Sequence, residues 1–157
     1  MSRKHKYVPK SFESTSKGGA YAAIYISMLE SPAWRDLTAS QKVLYVACKA
    51  QFFGDRENPD GNELNFCMNR AKWLKYELYK PGNAEGFYRD MAALILHGFV
   101  RCVHQGKANH QKNVYQFSDK WTRYGKNDFA IDRNEMTAAM MKRYSSDSDK
   151  AIQKKPY

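Results

Sequence analysis

The chain has 157 residues, 43% hydrophobic and 14% aromatic, enough for one core of about 100 residues with tails besides, which excludes a mostly disordered protein. The net charge of +10 divides as +4 over residues 1–17 (five basic, one acidic), +3 over 18–118 (twelve and nine) and +3 over 119–157 (nine and six). There is no transmembrane run and no helix with a basic polar face, so the polyanion to expect is nucleic acid rather than an anionic membrane.

Residues 1–19 are polar and basic and close with Ser14-Thr15-Ser16-Lys17-Gly18-Gly19, the composition of a flexible arm. Arg3, Lys4, Lys6 and Lys10 on it are spaced to lie along a phosphate backbone, and a solvated tail is the plain alternative. The start, Met-Ser-Arg-Lys-His-Lys, is charged but no hydrophobic region follows, so it does not read as an export signal. With three widely spaced cysteines (Cys48, Cys67 and Cys102), this predicts reduced, buried thiols and a cytoplasmic setting.

Tyr21 to Leu29 is apolar and reads as a strand entering a short helical turn, with Ser31 as N-cap and Pro32 at the first helical position. The first firm helix starts at Leu37-Thr38. Thr38 caps it, Gln41 completes a capping box, the stripe runs Leu44, Ala47, Cys48, Gln51, Phe52, and Gly54 ends it. Asp55 to Glu63 is acidic and turn-rich, but its Pro59 and Gly61 fall in the wrong places for a calcium loop, so it reads as a surface loop. Leu64 to Met68 alternates as a short strand, and Asn69 caps a second helix from Arg70 to Tyr79, which Lys80-Pro81-Gly82 breaks.

The stretch from Asn83 to Ser118 organises the rest. Asn83 is an N-cap, Ala84, Phe87, Met91, Leu94 and Ile95 share one helix face, and Gly98 supplies the left-handed stop. Glu85, Gly86, Tyr88, Arg89, Ala92 and Ala93 are assigned to the outer face. Phe99 to His104 and Asn113 to Ser118 then form two strands around the polar turn Gln105 to Lys112. Further on, Asp132 or Asn134 is placed to cap a helix through Tyr144 that carries Met136, Met140 and Met141 and suits packing on its own domain, dimerisation or a partner helix.

The order helix, strand, helix, break, helix, hairpin, carried by Ser31 to Thr38 leading into Lys42-Val43-Leu44-Tyr45, by Asp90-Met91 and Leu96 to Val100, and by Val114 to Trp121, resembles the winged helix-turn-helix domains of replication initiators, phage replication proteins and regulators of plasmids and integrative elements in Gram-positive bacteria. Two departures are the Pro81-Gly82 turn and Asn83-Ala84-Glu85-Gly86, where many relatives repeat Ser or Thr. The resemblance implies an α+β fold with a three-helix core and a β-hairpin wing over residues 20–121; composition and pattern add the basic arm at 1–19 and a C-terminal helix and tail over 122–157. It implies a helix in the major groove of double-stranded DNA and a wing on the backbone or minor groove.

Residue chemistry then names the candidates. Arg89 and Asn83 suit purine edges, Tyr88 a phosphate or thymine methyl, and Gly86, beside Glu85, a close helix approach. Lys107, Asn109, His110 and Lys112 put donors at the wing tip, and Arg70, Lys72 and Lys75 face the flanking backbone. The plain alternative for Arg89 is an ion pair with Glu85, one turn earlier. No phosphate loop, paired carboxylates or nucleophile with a base appears, and Cys67, Cys102 and His104 lack metal-ligand spacing, so the chain is expected to be non-catalytic and without cofactor or metal. The expected role is replication control or transcriptional regulation on a mobile element, with a second copy of the chain or replication and transfer proteins as further partners. The alternative is an adaptor recruiting replication or transfer proteins through its C-terminal helix.

Overall fold

The computed structural model describes residues 22–51, 65–106 and 112–144, so the arm, the acidic loop Asp55 to Glu63, the predicted helix end at Phe52 and Gly54, and the tail after Tyr144 lie outside the described residues. Short polar side chains start the helices. Ser31 accepts from the backbone N–H of Trp34 at the head of α2 (Pro32–Arg35) while donating to Met28 O at the end of α1 (Ile26–Leu29), so one hydroxyl joins two helical turns. Thr38 and Gln41 form the reciprocal capping box of α3 (Ala39–Lys49). Asn69 caps α4 (Arg70–Lys75) and Asn83 caps α5 (Ala84–Leu96).

Among the described residues 22–29 the predicted strand is absent. The carbonyl of Tyr25 accepts from the N–H groups of Met28 and Leu29, and that local closure turns the chain into α1. The second predicted helix is shorter than expected. Glu77 takes a left-handed conformation (φ 53°), Leu78 N–H reaches back to Trp73 O and Glu77 N–H to Leu74 O, which ends α4 at Lys75. The same two-bond closure ends α5, with Phe99 N–H on Leu94 O and Gly98 N–H on Ile95 O. Here glycine is required twice over: φ is +84°, and a Cβ would stand 2.6 Å from the backbone nitrogen of Trp121. The C-terminal helix is divided, a 3₁₀ turn at Arg133–Glu135 capped by Asp132 and then α6 (Ala138–Tyr144), because Thr137 re-caps the chain by accepting from Met140 N–H.

The fold is mixed α+β. Its antiparallel sheet has the order β1 (Asn65–Phe66), β3 (Val114–Phe117), β2 (Val100–His104), so the last strand inserts between the other two. Phe66, Val100, Cys102 and Tyr115 turn into the core. On the opposite face a polar ladder crosses all three strands: Arg101 Nε donates to Gln116 Oε1 (2.8 Å), and Gln116 Nε2 donates to Asn65 Oδ1 (3.0 Å). Two aromatic clusters fill the interior. Trp34, Tyr45, Phe99 and Phe117 meet edge to face, and Trp73, Tyr79 and Phe87 pack beneath the start of α5. Among the described residues no helix is long and apolar enough to cross a membrane.

The outer face assigned to the helix after Asn83 is corrected. Gly86, Ala92 and Ala93 are buried, because α5 is packed against α3, β2 and α6, and Met136 and Met140 from the C-terminal segment enter the same core. Alanines at the predicted surface are a seat for other elements.

Candidate nucleic-acid interface

What remains at the surface of α5 is its first half. Asn83, Glu85 and Arg89 are exposed, and Tyr88 is half-buried against Phe87 (ring centroids 5.4 Å apart). Asn83 spends its side-chain oxygen on the Gly86 N–H (3.0 Å). A Cβ on Gly86 would lie 2.7 Å from the Asn83 amide nitrogen, so this glycine makes room for the cap rather than for an approaching partner. Glu85, in the first turn, is a favourable charge at the positive end of the helix dipole.

Arg89 is ion-paired with the residue that follows it in sequence. Its Nε donates to Asp90 Oδ1 at 3.1 Å, with the arginine side chain 62% exposed and the aspartate side chain 1% exposed. The other carboxylate oxygen of Asp90 accepts from the Tyr79 hydroxyl at 2.8 Å. Burial, then the bond to Asp90, pushes the Tyr79 phenol far above its ordinary range, so it stays a donor. A buried carboxylate thus holds an exposed guanidinium from below. Sequence reading missed this group, though a signal was present: Asp90 stands three residues after Phe87 and four before Leu94, inside the apolar stripe, where an acid needs partners.

The other candidates sort by what they touch. Arg70 lies with its guanidinium 5.9 Å from the Trp73 ring and donates to Pro81 O (3.3 Å), which brings it to the turn just ahead of Asn83. Lys72 is half-buried and donates to Cys67 O (2.9 Å), bracing the β1–α4 link instead of facing outward. Lys75 is exposed beside the Tyr76 ring. Lys112 is exposed two residues before β3, and the hairpin base is held by Gly106 N–H on Asn113 Oδ1 (2.9 Å). Lys107, Asn109 and His110, like Arg3, Lys4 and Lys6, lie outside the described residues. The structure therefore gathers Arg70, Asn83, Glu85, Tyr88 and Arg89 around the start of α5 and turns Lys72 to internal work.

The cysteines are unpaired; Cys48 and Cys102 are buried and Cys67 is half-buried. Burial pushes the Cys102 thiol up to about 11, and its Sγ donates to His104 O. Among the described residues no group of three or more His, Cys, Asp or Glu side chains is placed to hold a metal. No protein-family model, curated protein or solved structure matches the chain.

Proposed function

We propose that this chain is a winged helix-turn-helix protein that binds double-stranded DNA without catalysis, with the start of α5 in the major groove and the β2–β3 hairpin as the wing. The order α3, β1, α4, α5, β2, β3 and the sheet order β1-β3-β2 support the fold reading. The observation that carries the function is the pre-set arginine. Arg89 projects from the exposed half of a rigid helix and is oriented by a buried acid, and a held guanidinium gives up less side-chain freedom when it engages a guanine edge. The setting remains the one implied by the sequence resemblance, replication control or regulation on a mobile element. The adaptor reading loses part of its docking surface, because Met136 and Met140 are buried in the protein's own core.

Selection of bound sequences from a random duplex pool tests the proposal. Wild type is expected to enrich a motif, and Arg89→Ala to lose on the order of 1–3 kcal/mol of preference at one base pair with the fold intact. Lys107→Ala with Lys112→Ala is expected to weaken all duplexes alike and flatten the salt slope by roughly 2 units. A motif untouched by Arg89→Ala removes that residue as the reader, and no duplex binding at low salt overturns the proposal.

A further inference from the structure

A groove of about 640 Å³ opens away from α4 and α5, between the chain leading into α1, α3, the sheet and the 3₁₀ turn at Lys120–Arg123. None of its lining residues belongs to α4 or α5. Its lining combines aromatic rings with three cations, Lys49, Arg101 and Lys120, and one carboxylate, Asp119. Lys120 is ion-paired with Glu135. Arg101 is fixed in place because Gln116 accepts from both its Nε and one terminal nitrogen. Lys49 holds its ammonium 4.9 Å from the centre of the Phe117 ring, and burial pulls its pKa below the ordinary lysine range. Tyr25, 73% exposed, stands at the mouth, and Trp121 lies in the wall.

We propose that this groove binds single-stranded nucleic acid, seating an unpaired base against Tyr25 and Trp121 and its phosphate at Lys49 and Arg101. Two features select this occupant. The volume is that of a small-molecule cleft, with room for a base and its phosphate and not for a duplex. Aromatic faces beside fixed cations also match a stacking base joined to a phosphate, whereas an acidic peptide would use the charge and leave the rings idle. The protein would then hold two nucleic-acid sites of different kinds, and this one stands independently of the duplex reading.

The test is fluorescence anisotropy with a labelled oligothymidylate of about a dozen nucleotides, run beside a duplex of equal length. Tyr25→Ala, at an exposed position, is expected to weaken the single strand about tenfold and leave the duplex unchanged. Lys49→Gln is expected to weaken it severalfold and lower its salt slope by about 0.7. Trp121 should report binding as quenched tryptophan fluorescence that Tyr25→Ala reduces. Oligothymidylate affinity unchanged in both variants overturns the proposal. So does displacement of the oligonucleotide by polyglutamate as readily as by unlabelled strand, which would reassign the groove to acidic peptides. Loss of duplex binding alone would count against the major-groove reading and leave this site standing.

Discussion

The two halves of α5 are the same helix in opposite surroundings. From Asn83 to Arg89 the helix alternates between solvent and core, and exposes Asn83, Glu85 and Arg89. From Asp90 to Ile95 six consecutive residues are buried, which requires neighbours on every side, and α3, β2 and α6 supply them. The change occurs at Asp90. Its carboxylate belongs to the interior by burial and to the surface by the guanidinium it holds. The difference teaches that a helix can present only its first turns to solvent while the buried remainder fixes the direction of what projects.

The largest blow to this arrangement is Phe87→Ala. Phe87 is buried against Trp73 and Tyr79 beneath the exposed half, and its loss is expected to cost about 3–5 kcal/mol in chemical denaturation. Near-normal stability would mean that the exposed half is not seated on this cluster. Tyr79→Phe removes one of two hydrogen bonds to a buried carboxylate and is expected to cost about 1.5–3 kcal/mol. It should also relax base preference in the same direction as Arg89→Ala, an effect that cavity formation alone would not produce.

Ala92→Leu set against Glu85→Gln compares the halves directly. Overpacking the fully buried Ala92 should destabilise by about 1–3 kcal/mol, whereas the exposed Glu85 should tolerate the change within roughly 0.5 kcal/mol. Equal tolerance at both positions would reopen the second half as surface.

The mildest probe is alkaline pH. Tyr45, Tyr79 and Tyr115 are each held neutral chiefly by burial, with folded pKa values raised above the ordinary 10.0. Above that pH the unfolded chain gives up phenolic protons that the folded chain keeps, so the stability these groups contribute is complete below pH 10 and declines as pH rises. By pH 10.5 the decline is expected to be under about 1 kcal/mol per tyrosine. Tyrosinate absorbance should show at least three phenols titrating only as the fold is lost, and smooth titration of all eleven near pH 10 would contradict their burial.

The features legible in the sequence are those that close within three to five residues. Ser31, Thr38 with Gln41, Asn69 and Asn83 cap the helices they were expected to cap, and Gly98 takes the left-handed stop, because each bond joins near neighbours along the chain. The same locality explains the strand wrongly expected in Tyr21 to Leu29: an apolar run this short has no period of its own, and a hydrogen bond three residues long decided it. Ala92 and Ala93 were misassigned because a small side chain suits either surface or close packing, and only the packing of α3, β2 and α6 around α5 chooses between them. Asp90 stood on the buried stripe in plain view, but Tyr79 lies eleven residues away across the α4–α5 turn. Lys49, Arg101 and Lys120 come from a helix, a strand and a 3₁₀ turn, and no spacing joins them. Charges that meet across distant segments are placed by the packing of the elements that carry them, and that packing is settled only when the whole core closes.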